Sequence, residues 1–303
     1  MRRRPLLAII VVVYKMPVQA LNTVESLSPS HQRDVDSRDY EVIVVENHSP
    51  ETLDAAAVTA LGPNIRYVLR EERGESPAAA VNAGARATRA PVVALVVDGA
   101  RMMTPGVVAG ILQAQALTAT PVVSVPGYHL GSKVHQEAVL EGYTAEQEQA
   151  ALAALDWRTD GYRLFDMAVL SASCRHGYLR PLGESNCIAV PRSLFERLGG
   201  FDEAFTSRGG GFVNLDFYRR AVDSGDLVLL PSEGTFHQFH GGATTGAPDV
   251  DRNALLDRMH EEYTNLRGAV HAPPAQEPLL LGRIQPQALP FLKHSVDAWM
   301  ESL

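Results

Sequence analysis

Residues 6–14 read LLAIIVVVY, and this apolar run decides the fold class. A β-branched run without polar alternation is typical of a strand that is covered on both faces, as in a parallel sheet. Similar runs stand at residues 40–45 and 92–97, and helical patterns lie between them at residues 17–27 and 77–88. Alternating strands and helices predict an α/β fold with a mostly parallel sheet, helices on both faces and right-handed crossovers.

The composition is that of a soluble globular protein. The 303 residues carry 27 Lys and Arg against 35 Asp and Glu, a formal net charge of −8, and 46% of them are hydrophobic. Because an acidic chain does not attract nucleic-acid phosphates over long distances, nucleic acid is not an expected partner. Cys174 and Cys187 form no CxxC pair, which excludes the common zinc and redox motifs.

The amino-terminal sequence imitates a signal peptide. Arg2, Arg3 and Arg4 precede an apolar run, but the run has only eight residues and no small-residue cleavage site follows it. We therefore interpret it as a buried strand. No run approaches the roughly 18–20 apolar residues of a membrane span. We expect no transmembrane segment and a cytoplasmic location.

Changes in composition divide the chain into three segments. Residues 1–127 carry the alternating strands and helices, residues 128–246 are rich in aromatic residues and histidine, and residues 247–303 form a helical extension. The extension ends in an amphipathic helix near residues 289–303. Packing of this helix onto its own chain and formation of a homodimer are both open.

Polar side chains follow several of the predicted strands. Tyr14, Glu46 and Asp98 each stand at a strand end, and so does the segment Arg70-Glu71-Glu72. Because ligands of open α/β sheets bind outside the carboxyl ends of the strands, these residues predict a binding site. The motifs GxGxxG, GxxxxGK[ST] and GxSxG are absent, which disfavours a Rossmann dehydrogenase, a P-loop NTPase and an α/β-hydrolase.

Five further motifs follow the first strand in a defined order. They are VIVVENHS (42–49), AAAVNAGARAT (78–88), VVALVVDGARM (92–102), ESNCIAVPRSLFERLGGFDEAF (184–205) and GGGFVNLDFYRR (209–220). In this order they resemble family 2 glycosyltransferases, whose Rossmann-like fold is called GT-A. The resemblance implies transfer of a sugar from a UDP- or GDP-linked donor to a soluble hydroxyl acceptor: a saccharide, a polyol acid or a secondary metabolite.

The resemblance also implies which residues bind the donor. Asp98 begins the position of the metal-binding DxD motif, but Ala100 replaces its second Asp. Asp98 is therefore expected to be the sole carboxylate ligand of Mn²⁺ or Mg²⁺, unless it binds ribose while Arg101 neutralises the phosphates. The expected nucleotide-sugar contacts are Val13, Tyr14, Glu46, Asn82, Asp98, Gly99, Ala100 and Arg101.

His240 and His237 are the remaining candidate metal ligands, and both lie in the sequence FHQFHGG. Residues three apart on a strand face opposite sides, so both are not expected to bind one ion easily. His240 is preferred because it precedes Gly241 and Gly242, where family members carry an H-x-G segment.

The catalytic residues are less well defined. Inverting family members carry an acidic pair before the helix near residue 215, and alignment places Asn214 at the position of their general base. An amide cannot accept a proton, so Asp216 or Glu184 serves instead, or the enzyme is not inverting. The sequence GGGFVNLDF also resembles a segment of retaining polypeptide GalNAc-transferases, which favours retention slightly.

Acceptor contacts are expected after residue 127. The residues singled out for this role are Tyr128, His129, Ser185, Asn186, Gly210 and Gly211. A different class of function is a GT-A module that binds nucleotide sugar without transferring it, which the missing second Asp and Asn214 would explain. A nucleotidylyltransferase is disfavoured because Tyr14-Lys15-Met16-Pro17 supplies no glycine-rich loop.

Overall fold

The computed structural model describes residues 4–71, 76–240 and 249–301. Arg2, Arg3, Glu72, Gly241 and Gly242, all noted in the sequence, lie outside these ranges. The strands are β1 (Leu7–Val13), β2 (Tyr40–Asn47), β3 (Ile65–Arg70), β4 (Val92–Val96), β5 (Arg101–Met103), β6 (Pro121–Ser124), β7 (Gly127–Leu130), β8 (Ala168–Leu170), β9 (Cys187–Pro191), β10 (Asp226–Leu229), β11 (Thr235–His237) and β12 (Leu279–Leu280).

Ten α-helices lie within the described part of the chain. They are α1 (Pro17–Ser26), α2 (Ala55–Ala60), α3 (Ala78–Arg86), α4 (Val107–Ala114), α5 (His135–Ala138), α6 (Ala145–Leu155), α7 (Arg192–Arg197), α8 (Val213–Val222), α9 (Asp249–Arg267) and α10 (Leu289–Met300). The helices predicted from apolar spacing are present, with ends that shift by a few residues.

The large sheet has the order β12-β10-β6-β9-β4-β1-β2-β3. All its neighbours pair in parallel except those of β9, which runs antiparallel to β4 and β6. The first strand is buried along its whole length. One face of it packs on a core that includes α1 and α4, and the other on a core that includes α3 and α8. The predicted mostly parallel α/β fold is confirmed.

Helix α3 packs unusually close to the first strand because Gly84 faces it. A Cβ atom at this position would lie 2.5 Å from Cγ2 of Ile10, closer than any side chain allows. The neighbouring alanines of α3 have small side chains, so the rest of the helix also packs close to the sheet. The segment that resembles a nucleotide-sugar-binding motif therefore serves first to seat α3 on the sheet.

The small sheet, with the order β5-β11-β7-β8, was not predicted. Its register pairs His237 with Arg101 on one side and with His129 on the other. Because directly opposite residues point to the same face, these three side chains form one row across the sheet. Asp98 stands three residues before β5, so the row continues toward the end of β4.

The three predicted segments all contribute strands to the large sheet: β1 to β4 and β6 come from the first, β9 and β10 from the second and β12 from the third. The last helix packs against its own chain, where Ser295 is buried and accepts a hydrogen bond from the backbone N–H of Tyr178. Within residues 4–71, 76–240 and 249–301, no helix combines the length and the apolar character needed to cross a bilayer.

His31 makes the stability of the fold sensitive to acid. Its imidazole is buried edge-on against Trp157, with a centroid distance of 5.4 Å, and burial lowers its pKa to about 4. As pH falls from 6.5 toward 4, the unfolded chain binds a proton that the folded chain does not, so the free energy of unfolding falls, by about 3 kcal/mol from this residue. Urea titrations at several pH values should show a shallower decline for His31→Gln; equal slopes would contradict this account.

Candidate functional site

A cavity of about 1000 Å³ opens at the carboxyl ends of β1, β2 and β4. Residues at or just beyond the ends of these strands line it, among them Tyr14, Asn47 and Asp98. The remaining walls include the first turn of α8 and one side of α9, with Leu215 and Met259. The cavity therefore lies where the order of strands and helices predicted a ligand site.

Asp98, His237 and His240 converge on this cavity. His237 Nε2 lies 2.9 Å from Asp98 Oδ2 and 3.1 Å from His240 Nε2, while His240 Nε2 lies 3.7 Å from Asp98 Oδ1. The expectation that the two histidines face opposite sides was wrong. Strand β11 ends at His237, so His240 no longer follows the alternation of a strand and turns back toward the same point.

The protonation states of this cluster suit a cation. Burial alone would raise the pKa of Asp98, but the two imidazoles beside it hold that pKa well below its ordinary value. Burial lowers the pKa of His237 to about 3. At neutral pH the cluster therefore offers one charged carboxylate and a neutral imidazole, and these groups can be ligands of a divalent transition metal. The donor atoms lie within 4.8 Å of one another, which is close enough for one ion.

Arg101 supplies a buried positive charge beside this cluster. Its Nε atom lies 3.7 Å from Asp98 Oδ2, and its Nε and Nη1 atoms hydrogen bond to none of the described residues. A buried guanidinium with unused donors is costly unless a ligand satisfies it. Because Arg101 lines the cavity, an anionic ligand such as a phosphate can reach it there.

A second group of buried histidines lies behind the first. His135 Nδ1 lies 3.1 Å from His237 Nδ1, and the backbone N–H of His135 donates to His129 Nδ1 at 2.8 Å. The carboxylate of Glu148, fully buried, lies 3.3 Å from His135 Nε2. Burial also lowers the pKa of His129. This network connects the cavity wall to the interior of the small-sheet region.

Glu184 brings a carboxylate to another part of the cavity. Its Oε1 accepts hydrogen bonds from Ser173 Oγ at 3.1 Å and from Asn186 Nδ2 at 2.9 Å. Asn214, at the start of α8, donates in turn to Asn186 Oδ1 at 3.4 Å. Glu184, Asn186 and Asn214 all line the cavity, so the structure brings together three of the predicted catalytic and acceptor-binding residues.

Asp216, the other candidate base, does not reach the cavity. It is buried and accepts hydrogen bonds from Arg220 Nε at 2.8 Å and from Arg267 Nε at 2.6 Å. Arg267 also bonds Asp202, which joins α8, α9 and the loop after α7. The two arginines engage both carboxylate oxygens of Asp216, so this residue is suited to hold these elements together rather than to act on a ligand in the cavity.

Two predicted donor-binding residues also lie away from the cavity. Glu46 is fully buried, and its Oε2 accepts from Tyr67 Oη at 2.6 Å and from the backbone N–H of Leu53. Asn82 donates to the backbone oxygen of Phe201 at 2.8 Å and to Glu203. Both side chains stabilise loops, and the structure does not place them where they could touch a ligand in this cavity.

Several smaller predictions are corrected in the same way. Tyr128 is fully buried in an aromatic cluster with Phe236 and Phe165, because alternation along β7 turns it away from His129. Ser185 is buried and donates to the backbone oxygen of Cys187. Val13, Gly99 and Ala100 do not line the cavity, although the backbone N–H of Ala100 donates to Asp98 Oδ1 at 3.0 Å.

The three consecutive glycines form part of the cavity wall. Gly209, Gly210 and Gly211 all have positive φ values, of 70°, 87° and 53°, which side chains other than glycine rarely adopt. Gly209 and Gly211 line the cavity, whereas Gly210 packs against Pro77, 2.5 Å from where its Cβ would be. The run is therefore a close-packed wall at residues 209–211.

Sequence reasoning missed several residues of the cavity. Lys15 lies two residues after the end of the first strand with a φ of 56°, and its Nζ lies 4.8 Å from the ring centroid of Tyr14. Arg208 precedes the glycine run. The position of a charged residue directly beside a recognised motif was the available signal in both cases.

Comparison with known proteins finds one family and two curated relatives that are similar to this chain. Residues 8–120 match the model of the family described as Glycosyl transferase family 2. Two curated relatives are named Validoxylamine A glucosyltransferase, from Streptomyces hygroscopicus subsp. limoneus and from S. hygroscopicus subsp. jinggangensis (strain 5008). Each is 27% identical over 220 residues, which cover 70% of this chain and 47% or 51% of the relative. The chain thus spans about half the length of these relatives.

Solved structures agree with the fold. Residues 1–349 of S. aureus TarS superpose with a TM-score of 0.54 at 11% identity, covering 97% of this chain and 72% of that one. The same protein in complex with UDP-GlcNAc gives a TM-score of 0.50 at 13% identity, covering 86% and 66%. Residues 8–120 are therefore similar to glycosyl transferase family 2, and the chain has the GT-A fold.

Proposed function

We propose that this chain transfers a sugar from a nucleoside-diphosphate sugar to a hydroxyl acceptor. The observation that carries the proposal is the convergence of Asp98, His237 and His240 beside the buried Arg101 at the carboxyl edge of the sheet. A leaving diphosphate needs its developing charge neutralised, and a cation together with a guanidinium supplies that. UDP is the nucleotide to test first, then GDP, because the TarS structure superposed above holds UDP-GlcNAc.

The residues present fit a divalent cation. Asp98, His237 and His240 would hold it, and the cation would neutralise the charge of the leaving diphosphate. A set of one carboxylate and two imidazoles suits Mn²⁺ better than Mg²⁺, which prefers oxygen ligands only. We propose that the ion is Mn²⁺ and that the two histidines supply the ligands that the second Asp of the DxD motif would otherwise provide.

Glu184 is the residue that we propose as general base. It is a carboxylate on the cavity wall, fixed by Ser173 and Asn186, whereas Asp216 is held by two arginines outside the cavity. A base that accepts the proton of the acceptor hydroxyl corresponds to an inverting reaction. The position of Glu184 therefore favours inversion over the retention that the sequence favoured slightly.

The acceptor is proposed to be a saccharide, a polyol acid or a secondary metabolite. Asn186, Asn214 and His129 line the cavity with groups that hydrogen bond to hydroxyls. Because two relatives are named as glucosyltransferases of validoxylamine A, UDP-glucose and validoxylamine A are the first pair to assay. Formation of the glucoside that requires Mn²⁺ would support the proposal.

Arg101→Met is expected to weaken binding of the UDP-sugar about 100-fold, because about 3 kcal/mol of charge-assisted hydrogen bonding is lost. The free energy of unfolding without ligand should change little, because Nε and Nη1 of Arg101 make no hydrogen bond within the described residues and the contact of Nε with Asp98 Oδ2 is long, at 3.7 Å. Calorimetric titration and urea unfolding measure the two quantities. Arg38→Met, which removes only a surface pair with Asp36, is the control. Unchanged donor affinity would place the phosphates elsewhere.

A second candidate function is a binding module that holds the nucleotide sugar without transferring it. The amide of Asn214 at the expected base position favours it, as does the absence of a second Asp. Slow hydrolysis of the donor distinguishes the two. An active transferase releases free sugar from UDP-glucose in the presence of Mn²⁺, even without an acceptor, whereas the module binds UDP-glucose and releases none.

A further inference from the structure

We propose that Glu148 and His135 are positioning residues, which hold the ring of His237 with its Nε2 atom toward Asp98. This inference rests on the metal site proposed above, and it assigns a role to a buried network that the cavity itself does not require. Glu148 and His135 are fully buried, and neither comes from a motif of the family resemblance.

The distances give the Nδ1 atom of His237 a partner. His135 Nε2 faces two acceptors, the backbone oxygen of Leu130 at 3.0 Å and Glu148 Oε2 at 3.3 Å, so this nitrogen carries a hydrogen. His135 Nδ1 lies 3.1 Å from His237 Nδ1, so one of these two atoms donates to the other. A cation on Nε2 of His237 would leave the hydrogen of that ring on Nδ1, and His135 Nδ1 is the atom placed to accept it.

The other nitrogen of His237 faces the cluster at the cavity. His237 Nε2 lies 2.9 Å from Asp98 Oδ2, on the side of the ring away from His135. The contact at Nδ1 therefore orients the ring so that Nε2 reaches the proposed metal site, as hydrogen bonds to the second nitrogen of metal-binding histidines do generally.

Glu148 also fixes the backbone between the two histidine ligands. Its Oε1 accepts from the backbone N–H of Phe239 at 2.8 Å. One carboxylate thus orients His237 through His135 and holds the segment that leads to His240. The segment is secured from the other side by Gln238, whose backbone N–H donates to the backbone oxygen of Ala100 at 2.8 Å.

The same distances argue against a second metal site in this network. The ligand atoms of His129, His135 and His237 also lie within 4.8 Å of one another. However, His129 Nδ1 already accepts the backbone N–H of His135, and the two Nδ1 atoms of His135 and His237 share one hydrogen. The three buried rings support the ligands at the cavity rather than bind an ion of their own.

Two substitutions of His135 separate positioning from packing. His135→Leu fills the space but removes the acceptor for His237, and His135→Asn keeps an acceptor oxygen near the position of Nδ1. Titration of Mn²⁺, followed by the electron paramagnetic resonance of the free ion, should show a loss of affinity of about 10–100-fold for His135→Leu. A smaller loss is expected for His135→Asn. Equal affinities for the wild type and His135→Leu would overturn the proposal.

Glu148→Gln provides an independent variant, because an amide group at Oε2 would face the N–H of His135. A similar loss of Mn²⁺ affinity is expected. Glu233→Gln is the matched control: Glu233 is a partly buried carboxylate that accepts from Tyr162 Oη and lies outside the cavity. An equal loss in Glu233→Gln would mean that any buried carboxylate has this effect, and would overturn the proposal.

Nitrogen-15 spectra with Zn²⁺, a diamagnetic cation, test the orientation of His237 without a substrate. With Zn²⁺ bound, the expected form of His237 carries its hydrogen on Nδ1 and the cation on Nε2. A hydrogen on Nε2 of His237 in the Zn²⁺-bound protein would overturn the proposal. If neither Mn²⁺ nor Zn²⁺ binds to the wild type, the proposed metal site fails and this inference fails with it. If both bind and His135→Leu loses no affinity, only this inference fails.

Discussion

Asp98→Asn is expected to lower kcat for sugar transfer about a thousandfold, which corresponds to about 4 kcal/mol of transition-state stabilisation. The substitution keeps the shape of the side chain but removes the negative charge from a cluster whose other members are His237 and His240. Without the carboxylate, the site would hold a cation less tightly, and less of the charge of the leaving diphosphate would be neutralised. Steady-state rates with UDP-glucose, combined with Mn²⁺ titration, measure both effects.

The control for this variant is Asp54→Asn. Asp54 is exposed and caps α2 through a hydrogen bond to the backbone N–H of Ala56, a role that asparagine fills equally well. Its rate should equal that of the wild type. If Asp98→Asn kept the wild-type rate, Asp98 could not be a ligand of a catalytic cation, and the cavity would need another explanation.

Glu184→Gln is expected to lower kcat by about 10²–10⁴-fold with little change in KM, the range that a general base contributes. Glutamine keeps the hydrogen bond from Ser173 and the size of the side chain, but it cannot accept the proton of the acceptor hydroxyl. The anomeric configuration of the product, read from its proton NMR coupling constants, should be inverted relative to the donor.

Glu196→Gln is a suitable control, because Glu196 is an exposed carboxylate that lies 3.7 Å from Arg192 and outside this cavity. A retained configuration together with an undiminished rate in Glu184→Gln would contradict the base assignment. It would then favour the retaining reaction suggested by the sequence around residues 209–217.

The strands and helices of the amino-terminal half were predictable because their signals are local. The β-branched run at residues 7–13 and the alanine-rich helix at residues 78–86 pack in the way their side chains require. The order of these elements was enough to predict where the cavity lies, at the carboxyl ends of the strands, with Asp98 in its lining.

The small sheet and the histidine cluster were not predictable, because they depend on distant parts of the chain. Strand β5 has three residues and pairs with β11, which lies more than 130 positions later. The sequence shows the spacing of His237 and His240 but not that the strand ends at the first of them. The two histidines point to the same site because β11 ends at His237.

The structural role of Asp216 was also not predictable from the sequence. Its position at the start of α8 is compatible with catalysis, and nothing near it in the sequence indicates otherwise. Asp216 has a structural role because it pairs with Arg267, which lies 51 residues later at the end of α9. The role of Glu46 likewise depends on Tyr67, which donates a hydrogen bond to it from the neighbouring strand. This contact could not be predicted, because the register of β2 and β3 cannot be read from either strand alone.

The central claim is that a divalent cation held by Asp98, His237 and His240 joins the diphosphate of the donor to this chain. Thermal unfolding with UDP, in the presence of either Mn²⁺ or EDTA, tests it most directly. At a hundred times its dissociation constant, a ligand stabilises by about 2.7 kcal/mol, so Tm should rise by a few degrees with UDP and Mn²⁺ together. With UDP and EDTA it should not rise. An equal rise in EDTA would contradict the claim and leave Arg101 as the group that binds the phosphates.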